Sequence, residues 1–454
     1  MKKISSINPA TEEIVGSLDI SSKQDVINAV KNAKEAFKAW KNISYEEKSN
    51  ILKKIAVEIQ NNKKNLSELI TKEMGKVISE AEAEAESTIQ RINFFTENIK
   101  DFIKPEEIKV EGEENILYFE PIGCVGVITP WNYPLSLPIW SFAPNILIGN
   151  TMVFKPSELT SLVGVELVKI FNKHLPKNVL NTVIGGDETG KELVKSDVDM
   201  VSFVGSQKAG KSIMKNSAEK LHKLVLELGG KHPAIVCEDA ELEIAVEGIV
   251  NESFKNCGQV CYSIERVYAV KGIFEEFTKR VVEKAKKIKA GNGLDRSSNI
   301  GPLSSKVQLK NFEEHIKDAV GKGAKILCGG KRINGKGYFF EPTVMTNVNI
   351  KMKIMSEETF GPVIPIQKVD NIDEAIKLSN DTVSGLAASV WSKNIKKAKS
   401  ISKNLEAGGV GINKAATSRS EIPWGGIKQS GIGRMLSKYG VREFTNMKVV
   451  SRRL

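Results

Sequence analysis

The strongest constraint on the fold of this chain is a change of hydrophobic period near residue 110. Before it, apolar residues recur three and four apart: Ile51, Ile55, Ile59, Leu66, Leu69 and Ile70, then Ala81, Ala85, Ile89, Ile92 and Phe95. Such spacing lays one apolar stripe along a helix. Tyr45 to Met74 is expected as two helices or one bent helix stopped at Gly75, and Ser79 to Phe102 as a long helix ended near Pro105. After it come short apolar runs between Gly, Pro and polar turns: NILYFEP, GCVGVIT, NTMVFKP, VLNTVIGG, MVSFVGS, KLVLELGG and PAIVCED. Helical segments separate them at Ser161 to His174, Glu188 to Val194 and Gly210 to Lys220. This alternation belongs to a parallel sheet with crossover helices, an α/β fold of the doubly wound kind. A second cycle follows, with helices at Leu242 to Phe254 and Gly272 to Lys289 and apolar runs RVYAV, AKILCGG, VIPIQKV, AASVW and GGVGIN. Two α/β domains are expected, in keeping with a length of 454 residues.

Charge and cysteine usage narrow the class. The net charge of +11 comes from lysines spread over helical faces, such as Lys53, Lys54, Lys63 and Lys64. Without aromatic platforms or a reading motif, this is a solvated surface, and no nucleic-acid partner is expected. No run of about 18 apolar residues offers a membrane span. The opening MKKISSINPATEEIVG has two lysines but no apolar stretch behind them, so no secretory leader is expected. The five cysteines, an odd number scattered along the chain, are expected as free thiols in the cytoplasm. Cys257 and Cys261 lack a second Cys or His pair, so no metal site is expected. The last stretch, Met447 to Leu454, reads either as an edge strand open to a partner chain or as a frayed terminus.

One motif points elsewhere. Gly205 to Ser212, GSQKAGKS, satisfies the formal phosphate-loop pattern. In a nucleotide hydrolase Lys211 would reach the outer phosphates and Ser212 would hold magnesium, with Glu238 and Asp239 on the metal-holding strand. Alternatively, Gly205 and Gly210 merely permit a tight strand-to-helix turn. In a third reading, the helix N-terminus receives the pyrophosphate of a dinucleotide. The third reading is preferred because of the residues that accompany it.

Those residues are four short constellations. Cys261, in NCGQVCYSIER, is either a small buried hydrophobe or a nucleophile in an accessible setting. Glu227, in LVLELGGK, ends an apolar strand before two glycines, a place where a carboxylate needs a partner or a task. Buried, it would make a general base for water. In TPWNYP two prolines hold Trp131 and Asn132 in a rigid turn, and a rigid amide is what an oxyanion requires. In FKPSE, Lys155 and Glu158 leave a strand at its carboxyl end, where open α/β sheets bind ligands.

Taken in this order, the motifs resemble the aldehyde dehydrogenase superfamily, from INPATEEIVG through TPWNYP, FKPSE, FVGS, LELGGK, GQVC and EETFGPV to PWGGIKQSGIGR. Glu227 precedes Cys261 by 34 residues and Glu358 follows it by 97, which is also similar to that family. The resemblance implies two interleaved α/β domains, a Rossmann-like NAD-binding domain (1–108 and 124–228) and a catalytic domain (229–415). It also implies a small β oligomerisation element (109–123 and 436–454) that assembles a homodimer or homotetramer. It implies Cys261 as nucleophile, Asn132 with the Cys261 N–H as oxyanion donors, and Glu227 as the base that hydrolyses a thioester. By the same resemblance Ile128, Thr129, Trp131, Lys155, Glu158, Gly186, Gly205, Ser206, Glu358 and Phe360 contact the cofactor, which is NAD, with NADP as the alternative. The short length and KQSGIGR are most similar to the compact succinate-semialdehyde dehydrogenases, but those commonly place an arginine where this chain has Trp140. Tyr133, Trp140, Arg419 and Trp424 are the expected substrate pocket, suited also to a small hydroxylated or aliphatic aldehyde.

Overall fold

The computed structural model describes residues 2–454. The helical stripes of the first hundred residues form as their spacing predicts. Tyr45–Asn61 and Lys63–Met74 are two separate helices, the second closed by Gly75 at φ 88°, and Ile78–Phe102 is one long helix. Lys23–Trp40, capped by Ser22 and Asp25 in a reciprocal capping box, precedes them. An N-terminal hairpin, Lys3–Ile7 with Ile14–Asp19, lies outside the elements read from sequence.

The runs after residue 110 build two sheets. The first has the order Gly431–Ile432, Lys223–Leu228, Met200–Gly205, Cys124–Ile128, Thr151–Lys155, Leu180–Thr182. Its five strands in the run 124–228 are parallel, and the chain moves outward from Cys124–Ile128 in one direction before returning to its other side at Met200–Gly205. The reversal leaves a crevice beyond the carboxyl ends of the strands, where ligands enter such sheets. Cys124–Ile128 and Thr151–Lys155 are buried at every residue, the reason they read as unbroken apolar runs.

The second sheet runs Lys325–Cys328, Thr343–Thr346, Val363–Val369, Ile264–Val270, His232–Val236, Ala387–Trp391, Gly409–Ile412, parallel except for its first strand. Thr343–Thr346 is an interior strand of only four residues, TVMT, too short to show a period. A further surprise is Gly431–Ile432, which returns from the tail to pair antiparallel with Leu226 and Glu227 at the edge of the first sheet.

The terminal segment is not frayed. Thr445–Arg453 pairs antiparallel along its length with Glu113–Pro121 of the same chain, which in turn pairs with Glu106–Glu107. Thr445–Arg453 is the outer strand of this small sheet and leaves Met447, Val449 and Val450 exposed. No helix among the described residues is long and apolar enough to cross a membrane.

Candidate active site

Glu227 is the fifth residue of Lys223–Leu228, and the two glycines after it end the strand at the crevice. The side chain is buried, and neither carboxylate oxygen has a hydrogen-bond partner among the described residues. Burial pushes its carboxyl up to about 8; the Glu358 carboxylate adds to the rise, while the Trp424 indole and the Arg434 charge oppose it.

Cys261 arrives by a different route. The helix Leu242–Phe254 stops, and Asn256, Cys257 and Gly258 take left-handed φ values of 49°, 58° and 72°. Gly258 has no alternative, because a Cβ there would lie 2.2 Å from the Gly361 carbonyl oxygen. The strained turn is tied to the TPWNYP segment: Asn132 Nδ2 donates to the Gln259 carbonyl at 3.0 Å, and Asn256 Nδ2 donates to the Asn132 carbonyl at 3.2 Å. Cys257 is sealed in the core, whereas Cys261 is half-buried. Burial pushes the Cys261 thiol well above its usual value, and Glu227 and Glu358 push it further; its own N–H and that of Tyr262 act the other way.

A cavity of about 770 Å³ brings these groups together, with Asn132, Glu227 and Cys261 all on its wall. Trp131, Gly205, Ser206, Glu358 and Phe360 share that wall, as do Tyr133, Trp140 and Arg419. Trp131 and Phe360 meet edge to face at 5.6 Å. Glu358 Oε1 accepts the Gly230 N–H at 3.2 Å, and a Cβ on Gly229 would come within 2.2 Å of the same carboxylate. Burial pushes Glu358 up to about 8, with Glu265 adding and Gly230 N–H and Lys231 opposing.

The remaining expected residues stand outside the cavity wall. Ile128 pairs with Lys155 at the adjoining strand ends, and the Thr129 N–H follows to the Lys155 carbonyl. Lys155 Nζ donates to the Pro156 and Gly185 carbonyls at 2.9 and 2.8 Å and lies 3.9 Å from the Glu158 carboxylate, with Gly186 next in the chain. These five residues make a separate cluster along the carboxyl edge of the sheet. Trp424 is buried behind the wall, edge to face with Tyr262 at 5.4 Å.

Over residues 1–450 the chain matches the model of the aldehyde dehydrogenase family. It belongs to that family. A probable succinate-semialdehyde dehydrogenase, NADP(+), of Sinorhizobium fredii is 36% identical over 98% of this chain and 92% of its own. The crystal structure of lactaldehyde dehydrogenase from Escherichia coli superposes with a TM-score of 0.97 at 36% identity, covering 100% of this chain and 96% of that one. Betaine aldehyde dehydrogenase from Staphylococcus aureus, in complex with NAD+, gives 0.95 at 35% identity, covering 100% and 92%. The chain is an NAD(P)-dependent aldehyde dehydrogenase. The aldehydes named for these relatives differ.

In this aldehyde dehydrogenase the phosphate-loop resemblance dissolves on geometry. Ser206 caps a helix that begins at Gln207 and runs to Ser217, so Gly210 and Lys211 are helical rather than part of a loop that could wrap phosphates. The helix starts three residues earlier than its apolar pattern suggests. Gly210 serves packing: a Cβ there would press within 2.7 Å of Leu228.

Sequence reading missed the residues that support the site. Lys76 is fully buried, 2.5 Å from Glu84 and 3.6 Å above the Tyr133 ring. Glu84 also accepts the N–H groups of Leu135 and Ser136, and Glu80 accepts that of Asn256. Lys231 is likewise buried 2.6 Å from Glu265, which accepts the N–H groups of Thr359 and Phe360. Arg91 also lines the cavity. The available signal was charge on an apolar stripe: Glu84 and Arg91 lie seven apart on the helix Ile78–Phe102, beside Ala81, Ala85, Ile92 and Phe95.

Proposed function

We propose that this aldehyde dehydrogenase is non-acylating, and that it oxidises its aldehyde through a thioester on Cys261 which water then hydrolyses with Glu227 as base. The observation that carries this reading is the meeting of Cys261, Asn132 and a hydrogen-bond-free Glu227 on one cavity wall. Cys261 Sγ attacks the carbonyl carbon, and the oxyanion lies between the Asn132 amide and the Cys261 N–H. Asn132 Nδ2 has two hydrogens and gives one to Gln259, which leaves the other for the oxyanion. Loss of hydride from this adduct produces the thioester. Glu227 takes a proton from water, which attacks the thioester carbonyl and expels the Cys261 thiolate. A carboxyl near 8 is a stronger base when ionised than an exposed one, and lies close to operating pH.

The residues suit a dinucleotide. Gly229 leaves room for the Glu358 carboxylate, Gly186 faces open space, and Ser206 opens an eleven-residue helix toward the crevice. Glu358 would hold the nicotinamide ribose, Trp131 and Phe360 would flank it, and Gly205 and Ser206 would lie along the pyrophosphate. Ile128, Thr129, Lys155, Glu158 and Gly186 would receive the adenosine half. Bound there, the dinucleotide supplies the hydride acceptor. Glu158 disfavours the extra phosphate of NADP by charge repulsion, so NAD is the preferred form.

Succinate semialdehyde is the first candidate substrate, supported by the relative of that name. A small hydroxylated or aliphatic aldehyde is the second, favoured by the aromatic walls of Tyr133 and Trp140. We place the enzyme in the cytoplasm as a homodimer or homotetramer. The unpaired outer edge of Thr445–Arg453 and its exposed apolar residues support assembly through that strand.

The test is aldehyde-dependent NADH formation. Cys261→Ala is expected to abolish it, and Glu227→Gln to give one burst of NADH per site before stalling. A steady, undiminished rate in Glu227→Gln would remove that residue from deacylation.

A further inference from the structure

Arg91 is an unusual residue to find in the wall of this cavity. The side chain is 7% exposed, and none of its nitrogens donates a hydrogen bond or joins an ion pair among the described residues. Nε and Nη1 are buried without any partner. The guanidinium stacks on Trp140, 5.1 Å from the ring centroid, and burial draws its pKa down to about 10. A cation in such a place is costly unless something neutralises it.

The nearby anions do not. Glu84, two turns earlier on the same helix face, has both oxygens engaged, one by Lys76 and one by the Leu135 and Ser136 N–H groups. Glu421 acts on Arg91 only through space and is exposed, and the Tyr262 phenol is kept neutral by burial. Hydroxyl groups of Ser87 and Ser418 share the wall with it. What the site lacks is a planar anion for the guanidinium fork.

We propose that Arg91 binds a carboxylate carried by the substrate, making the preferred substrates short aldehydes with an acid group at the far end from the carbonyl. Trp140 holds the guanidinium in plane, which gives this aromatic a role in anion binding rather than against it. Arg419 also lines the cavity but is exposed, so its charge is screened by water. The proposal rests on the thioester reading above for the chemistry at the other end of the molecule.

Two four-carbon probes separate charge from length: succinic semialdehyde and butanal. The unaltered enzyme is expected to favour the acid in kcat/KM by on the order of 100-fold, the scale of a lost buried charge pair. Arg91→Gln should erase that preference, chiefly through KM for the acid, with a clearly smaller loss for butanal, and Arg91→Lys should restore part of the loss. Equal use of both aldehydes by the unaltered enzyme, or an equal loss of both in Arg91→Gln, would overturn the proposal while leaving the thioester reading intact. If neither aldehyde reacts, the preference for an acid-bearing aldehyde is overturned, while the thioester reading stands until hydroxylated aldehydes fail as well. Calorimetric titration with succinate then decides the anion site alone: binding weakened at least about tenfold by Arg91→Gln supports it, and no binding to the unaltered protein defeats it.

Discussion

Two buried lysine–carboxylate pairs flank the cavity, alike in chemistry and different in what they hold. Lys76–Glu84 lies under the Asn132 side, where the aldehyde is proposed to bind: its carboxylate accepts the N–H groups of Leu135 and Ser136, just after Asn132, and its ammonium sits on Tyr133. Lys231–Glu265 lies under the Glu358 side, where the cofactor is proposed to bind: its carboxylate accepts the N–H groups of Thr359 and Phe360, just after Glu358, and its ammonium donates to the Thr359 hydroxyl. Buried ion pairs add little net stability, because desolvation offsets their attraction. Their directional bonds do fix where loops sit. The contrast shows that each half of the active site hangs on its own internal charge, so the two halves can be disturbed separately.

The largest expected effect comes from breaking the first pair. Lys76→Met leaves Glu84 buried without its cation, which is expected to cost about 3–5 kcal/mol of stability. Urea unfolding measures this, and kcat should fall with it as Asn132 loses its support. Unchanged stability would show that Glu84 is satisfied by the two N–H groups alone.

Next is the second pair. Glu265→Gln keeps an acceptor for the Thr359 and Phe360 N–H groups but removes the charge facing Lys231. A smaller loss, about 1–3 kcal/mol, is expected, and the KM for the dinucleotide should rise more than kcat falls. If kcat falls while that KM holds, the division into two halves is wrong.

The smallest effect links them through the two raised carboxyls. In the proposed mechanism hydrolysis needs ionised Glu227, so single-turnover deacylation should rise with pH through about 8. Glu358 raises Glu227 by repulsion, so Glu358→Gln should move that rise to lower pH. A profile that does not move would mean that burial alone sets the Glu227 carboxyl.

The fold was read most fully where a period is long. Ile78–Phe102 repeats its stripe through many turns, and Cys124–Ile128 is apolar throughout because both faces are covered. Thr343–Thr346 and Gly431–Ile432 escaped because four and two residues carry no period, and their pairing partners are distant in the chain. The helix at Gln207 begins before its apolar pattern does, since its first turn is polar and its signal is the Ser206 cap rather than hydrophobicity. Among the residues around the cavity, those in distinctive short motifs are legible in the sequence. Arg91, Lys76 and Glu84 are not, because helical spacing alone does not reveal whether a charged side chain meets solvent, a partner or a cavity.

Taken alone, the sequence determined the alternation of strands and helices, the family, and the candidate nucleophile, base and amide, because local period and short motifs are written in neighbouring residues. Tertiary structure alone decided that Cys261, Glu227 and Asn132 share one wall and that Thr445–Arg453 completes its own chain's sheet. It also decided that Arg91 faces the cavity without a counterion. The physical reason is that burial and pairing depend on which distant segments pack together, and the energy of a charge depends on that packing far more than on its neighbours in the chain.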